Sequence, residues 1–349
     1  MVNRNDVAHR AGVSVAVVSY VLNDGPRPVS DTSRQKVLRA IEELDYRPNR
    51  VASALRSRRT WSIGLVVPDN SNPFFAQLAH AIEDDAFSRG YSLLLGNASG
   101  DRAREQNYLE TFQDRRVDGL IVVSNRPSAE LARNYDAAVP LVVVSDHSVA
   151  GLPSVSTVKA DNSGGARNAT EHLVRHGHRR IACLLGPRDS APAIERHAGW
   201  KQALGDAGLD AAADLVRWTT FTRSAGHLSA VDLLSGANPP SAVFAATDHQ
   251  AFGVLRAAAD LGLRVPDDVA VIGFDGIAEA DYSVPRLATV KQPVTDIAAR
   301  AVELLLRDRR DTVGVHEVFP LTLLARGSCG CPDPRSTSSG QTVAATAVG

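Results

Sequence analysis

The chain offers few residues arranged for covalent chemistry. It has no G-x-x-x-x-G-K-[ST] phosphate loop, no G-x-S-x-G elbow, no H-E-x-x-H pair and no G-x-G-x-x-G after a strand. Its histidines and aspartates are scattered, without a spacing that implies a shared reacting centre. Cys183, Cys329 and Cys331 show no metal-ligand spacing, so neither a metal nor a cofactor is expected. An enzyme is not the expectation. What these residue types can do is bind. One set lies in DVAHRAGVSVAVVSYVL (6–22); a second is a series of polar residues that each follow an apolar run. That series comprises Asp69 and Asn70, Asp146, Thr247 and Asp248, and Asp275. Ligands of parallel sheets sit at such carboxyl ends. A strand-end aspartate also caps helices, so Asp69 and Asp248 stay open between the two roles.

The elements that would carry the first set are helical. Val7, Ala8 and Ala11 share one face of a short helix, and Gly12 stops it. Ser14 is placed to cap a second helix over VAVVSYVL (15–22). Helix, glycine turn and short helix is the spacing of a helix-turn-helix. Small residues at the crossing (Ala8, Gly12) and buried aliphatics (Val7, Val13, Val18, Val21) would fix the angle. The start of the second helix would then face base edges in a major groove, with Ser14, Val15, Ala16, Ser19 and Tyr20. Val15 and Ala16 can touch only a thymine methyl or fit groove shape, which leaves Tyr20 as the polar reader. A third helix, capped by Ser30, is expected over about 31–45, with Val37, Ile41 and Leu44 inward. Pro48 and RVASALRSR (50–58) read as one more short helix.

The charge supports this division. Residues 1–60 hold eleven Arg or Lys against six Asp or Glu, and the remainder holds 27 against 33. A basic head on an acidic body suits a polyanion at the head. From Trp61 the texture changes to short apolar runs alternating with amphipathic stretches. The runs are SIGLVV (62–67), SLLLG (92–96), GLIVV (119–123) and LVVVS (141–145), then IACLL (181–185), LVRW (215–218), SAVFAA (241–246) and VAVIGF (269–274). Such βαβα alternation predicts two similar lobes, each a parallel sheet covered on both faces. The break between them falls near Lys159–Asn162. No apolar run approaches the roughly 20 residues of a membrane span. Sparse cysteine and no signal-peptide pattern point to the cytoplasm. The tail from Pro332 is small and polar, with the texture of disorder.

The segments DVAHRAGVS, VVSYVLN, VS-x-x-S-R-x-x-V, AIEELDYRPN and VASAL follow one another in the order of the lactose repressor family. Nearly the whole chain, from about Asn3 to Ser328, resembles that pattern. The resemblance implies an all-α helix-turn-helix head (1–47), a hinge helix and linker (48–60), and a two-lobed α/β domain with parallel sheets, similar to periplasmic binding proteins (61–328). Residues 329–349 would form a disordered tail. It implies a homodimer on a near-palindromic operator, with a small-molecule effector between the lobes and no membrane. In the hinge, Leu55 holds the position of a base-step wedge in the minor groove, beside Asn49, Arg50 and Arg56. In the cleft, PFF places Phe74 and Phe75 at the mouth, although Phe75 also suits a core. ERHAGW places Arg196 inside, Asp146 and Asp275 accept hydrogen bonds, and Phe221 closes a wall. Ser190, Thr247 and Asp248 complete the expected set. The lobes would be joined by chain crossings near residues 160, 287 and 318. His178 and Arg179 would dock a helix onto its strand.

Departures qualify the resemblance. Asn3 and Arg4 stand where relatives carry Thr and an aliphatic residue; Asn3 still suits an N-cap, with a looser first turn expected. Purine-sensing members carry Arg and Thr where this chain has Ser190 and Pro192, and a carbohydrate is the preferred effector. A purine or other metabolite acting as corepressor is the alternative. A solute-binding protein is the remote one, and it leaves the basic head unexplained.

Overall fold

The computed structural model describes residues 2–23, 27–47, 59–124, 139–144, 152, 154–307 and 313–332. Two compact units divide the chain, residues 1–61 and 62–349.

The first unit is helical. Helix α1 (Arg4–Ala11) starts at Asn3, whose Oδ1 accepts from Asn5 N at 2.8 Å and Asp6 N at 3.4 Å. Asp6 Oδ2 returns the favour by accepting from Asn3 N at 2.8 Å, a complete capping box. The first turn is therefore tied down by side chains, not loosened by the loss of the family's threonine. Gly12 ends α1 in the left-handed region (φ 63), with its N–H on Ala8 O and His9 O. Helix α2 (Val15–Asn23) follows, and α3 (Asp31–Glu43) is capped by Ser30 Oγ on Ser33 N. The three pack around Val7, Ala8, Ala11, Val18, Val21, Val37, Ala40 and Tyr46. Tyr46, beyond α3, closes this small core.

The second unit holds two six-stranded sheets. In chain order its elements are β1 (Ser62–Val67), α4 (Pro73–Ser88), β2 (Ser92–Asn97), α5 (Arg102–Asp114), β3 (Gly119–Val123), β4 (Leu141–Val144) and β5 (Ser156–Ala160). Next come α6 (Asn162–Arg175), β6 (Ile181–Leu185), α7 (Ala191–Asp206), β7 (Val216–Trp218), α8 (Arg223–Leu234), β8 (Ala242–Ala245), α9 (Asp248–Asp260) and β9 (Ala270–Asp275). The last are β10 (Ala288–Lys291), α10 (Val294–Leu306), β11 (His316–Phe319) and β12 (Thr322–Leu324). The first lobe's sheet runs β11-β5-β4-β3-β1-β2, all parallel. The second runs β12-β10-β9-β8-β6-β7, parallel except for β12. Central strands such as Gly119–Val123 and Ile181–Leu185 are buried throughout, as sheets covered on both faces require.

The chain passes between the lobes three times: after β5, after β10 and after β11. The first crossing lies at Asp161, as expected. The other two lie near 292 and 320, a few residues later than 287 and 318. The reason is that β10 completes the second sheet before the chain leaves it, and β11 completes the first. At the far end, Cys329 is buried in the second lobe's core, so that fold extends past Ser328. The hinge residues Asn49, Arg50, Leu55 and Arg56, the cleft candidate Asp146 and the tail from residue 333 lie outside the described residues.

Candidate functional site

On the helical unit, the second helix presents the face that the sequence predicted. Ser14 Oγ accepts from Val17 N at 3.4 Å, which frees the following residues to start the helix in the open. Val15 (41% exposed) and Ala16 project outward, while Val18 and Val21 are buried against α1 and α3. Ser19 and Tyr20, one turn on, are half-buried at the edge of that face. In a helix-turn-helix the residues at this position face base edges in the major groove.

In the two-lobed unit the polar candidates converge where the chain crosses. Arg196 lies on α7, whose first turn carries Pro192. Three residues on, Gly199 lets α7 lie against α6, since a Cβ there would come within 2.1 Å of Ser163 O. That close approach brings Arg196 Nε to Asn162 Oδ1 at 2.9 Å. A second guanidinium nitrogen donates to Ala246 O and lies 3.8 Å from Asp275 Oδ1. The guanidinium also stacks on Phe274, 3.7 Å from the ring centre. Burial draws the Arg196 pKa down, and Asp275, Glu195 and Asp248 oppose it. The cation is thus buried and held by fixed partners.

Asp275 ends β9 with φ 114, a conformation that L-residues rarely adopt. Backbone strain of this kind persists where surrounding bonds enforce it. Here the enforcing group is Asp248, whose Oδ2 accepts from Gly276 N and Ile277 N, both at 2.9 Å. Gly273 makes room for that carboxylate, because a Cβ would sit 2.2 Å from Asp248 Oδ1. Gln292 Nε2 donates to Asp275 Oδ1 at 2.9 Å. Burial pushes the Asp275 carboxyl up to about 7, against the pull of Arg196 and Gln292. Burial, then the neighbouring Asp275, push Asp248 well above the usual carboxylate range.

Arg196, Asp275 and Gln292 floor a cavity of about 40 Å³ between the lobes. Phe74, Phe75, Arg196, Phe221, Thr247 and Asp275 all line it, together with Asn72, Pro192 and Gln292. Phe221 covers Gly186, where a Cβ would meet its ring at 2.1 Å. Thr247 Oγ1 caps α9 by accepting from Gln250 N at 3.2 Å. A wider mouth of about 270 Å³ adjoins, sharing Asn72, Phe75 and Phe221 and bounded by Asp69, Ser190, Arg102 and Asp189. The Arg102–Asp189 ion pair (3.5 Å) spans this mouth from one lobe to the other. Ser190 Oγ is buried there with no hydrogen-bond partner among the described residues.

One candidate departs from expectation. Asp248 is fully buried and does not line the cavity; its carboxylate is spent on the turn that holds Asp275. The sequence also left Asn162, Gln292 and Asn72 unnamed. The first two stand at the first and second lobe crossings, which is the signal that could have found them: a polar residue just past a strand at a break between lobes. Asn72 caps α4 through Phe74 N at 3.1 Å. His178 behaves structurally, with Nδ1 3.0 Å from Ser241 Oγ at the foot of β8; Arg179 is exposed.

Comparison with known proteins fits both units. Residues 5–49 match the bacterial regulatory proteins of the lacI family, and residues 170–329 match a periplasmic binding protein-like domain. The ribose operon repressor of Escherichia coli is 37% identical over 334 residues, 94% of this chain and 100% of that protein. The transcriptional repressor PurR of Erwinia tasmaniensis is 36% identical, over 94% of this chain and 97% of that protein. The lac repressor dimer, solved with operator and the anti-inducer ONPF, superposes with a TM-score of 0.82 at 28% identity, covering 94% and 99% of the two chains. The chain belongs to the lacI family of bacterial regulatory proteins and is a DNA-binding transcription regulator, a helix-turn-helix head joined to a two-lobed periplasmic-binding-protein-like domain.

Proposed function

We propose that this regulator is a homodimeric repressor whose operator affinity is set by a monosaccharide-sized sugar bound between its lobes. The observation that carries the sugar is the pairing of Arg196 with Asp275 under aromatic walls. A fixed guanidinium beside a carboxylate offers donors and acceptors in the alternation that a polyol needs, and Phe74 and Phe221 suit the apolar face of a ring. The unpartnered Ser190 hydroxyl adds one more polar group at the mouth. The similarity to the ribose operon repressor favours a pentose. The similarity to PurR makes a purine the rival to test.

The switch is two-state. Effector draws the lobes together, which resets the packing between subunits and the spacing of the paired hinge segments. Leu55 with Asn49, Arg50 and Arg56 would then enter or leave the minor groove while Val15, Ala16, Ser19 and Tyr20 read the major groove. Coupling of this kind is typically about 1–3 kcal/mol. The protein acts as a regulator and not as a catalyst, and acting on operator DNA sets its place in the cytoplasm. The test has two arms. Selection from random DNA by the full chain should return a near-palindrome, and deleting residues 1–60 should abolish that binding while effector binding is kept. Calorimetry with pentoses, hexoses and purine bases should then show binding by sugars alone; binding by purines alone would overturn the effector class.

A further inference from the structure

The second lobe carries a cluster that the cleft does not use. His172 and His176 stand one turn apart at the end of α6, their ring centres 4.4 Å apart. The segment after β12 folds back over them. Gly330, at φ 88, turns the chain from Cys329 to Cys331 beside the His176 imidazole. Cys331 Sγ lies 3.5 Å from His172 Nε2 and 3.5 Å from His176 Nε2, and Cys329 Sγ lies 3.3 Å from His172 Nε2. One ligand atom from each of His172, His176 and Cys331 falls within 4.8 Å of the others. The sequence shows an i,i+4 histidine pair and a C-x-C pair, but nothing local joins the two halves, which are more than 150 residues apart.

We propose that His172, His176 and Cys331 form a structural zinc site, and that Cys329, outside that close set but with Sγ 3.3 Å from His172 Nε2, turns in as the fourth donor when the ion binds. Tetrahedral zinc with Zn–N of about 2.0 Å and Zn–S of about 2.3 Å separates N from S by about 3.5 Å. The three separations here already match that edge. Two imidazoles and two thiolates suit zinc over magnesium or calcium, which take oxygen ligands. The thiol of Cys329 donates to Arg326 O at 3.1 Å; on binding, it and Cys331 each release a proton to solvent. The exposed edge of His176 gives the ion a path in. A bound ion would fasten the C-terminal segment to α6, entirely within the second lobe.

The test uses the full chain, reduced and stripped with a chelator, with Co²⁺ as the optical probe and Zn²⁺ as competitor. A thiolate-to-cobalt charge-transfer band should appear, saturate near one equivalent per chain and vanish when Zn²⁺ is added. His176→Ala, at an exposed position, should weaken Co²⁺ binding roughly tenfold or more, and Cys331→Ser should remove the band. Zn²⁺ in excess should raise the melting midpoint by about 5 °C in the native chain and not in His176→Ala. No band in the reduced chain overturns the proposal, as does a band unchanged in both variants. Loss of both thiols to a Cys329–Cys331 disulfide, with no cobalt band before oxidation, overturns it in favour of a redox pair.

Discussion

Asp275→Asn should make the ligand-free protein more stable and the effector complex weaker. The carboxyl is raised from 3.8 to about 7, chiefly by burial. The folded state therefore holds the proton more tightly than the unfolded chain. Its contribution favours folding fully below about pH 4 and is lost as the pH climbs towards 7. A shift of that size corresponds to about 4 kcal/mol above pH 7, of which about 2 kcal/mol has already been lost at pH 5. The amide carries no such penalty and can still accept from Gln292 Nε2, while Asp248 and Glu195 still face Arg196. Urea unfolding of the full chain should show a gain of about 4 kcal/mol at pH 8 and about 2 kcal/mol at pH 5. Trp200, fully buried in the second lobe, provides the fluorescence signal. For the ligand the sign reverses. A hydroxyl that donates to a carboxylate gains about 1 to 2 kcal/mol over one that donates to an amide, so sugar affinity at pH 8 should fall about 5- to 30-fold. A variant less stable at pH 8, or a gain that does not change between pH 5 and pH 8, would refute the reasoning.

Arg196→Ala should abolish the effector response and leave operator binding intact; it also removes the hydrogen bonds to Asn162 and Ala246 and the stack on Phe274, so near-UV circular dichroism must confirm the fold, and normal induction in a reporter strain would refute the role. Leu55→Ala should lower operator affinity far more than non-specific DNA affinity at fixed salt, whereas equal losses would leave the leucine without a wedge role. Asn3→Ala removes the side-chain half of the capping box, the Oδ1 that accepts from Asn5 N and Asp6 N, while Asp6 can still accept from the backbone N–H of residue 3; it should destabilise the helical unit by about 1 kcal/mol, read as an earlier unfolding of that unit.

The sheets were legible because central parallel strands are continuous apolar runs. All eight predicted runs are strands, within a residue or two at each end. The four strands that were not foreseen share a different texture. STVKA, ATVK, HEVF and TLL are short, carry polar or charged residues and lie beside the lobe crossings. Two of them, β11 and β12, are half-exposed sheet edges, where periodicity has little to register: HEVF alternates exposed and half-buried; β5 and β10 lie inside their sheets, buried, but their Ser, Thr and Lys residues break the apolar run. The site followed the same division. Arg196, Asp275 and the three phenylalanines follow from recognisable motifs, and they do meet at one cavity. Asp248 carries the same strand-end signature as Asp275 but the opposite task. Only the backbone path shows that its carboxylate serves the turn after β9. Cys331 and the α6 histidines are joined by tertiary folding alone, which no local spacing encodes.

The placement of Asn162 and Gln292 explains how a ligand in this cleft can be felt beyond it. Asn162 follows the first crossing and holds Arg196; Gln292 stands at the second and holds Asp275. Asn162 Nδ2 also donates to Glu195 at 3.0 Å, and Glu195 pairs with Lys159 of the first lobe's last central strand at 3.4 Å. A sugar that hydrogen-bonds Arg196 and Asp275 must therefore compete with, or reorient, bonds made at two of the three connections between the lobes. A ligand shifts a conformational equilibrium only by its difference in interaction with the two states. On the proposed function that difference would be built in, because Arg196 and Asp275 are hydrogen-bonded to residues at the lobe crossings, the segments that would have to bend if the lobes rotated. An effector that touched one lobe alone would gain the same burial in either state and leave the lobe angle unchanged. Substituting Gln292→Leu should accordingly reduce the coupling between sugar and operator more than it reduces sugar affinity, and equal losses in both would place Gln292 in binding alone.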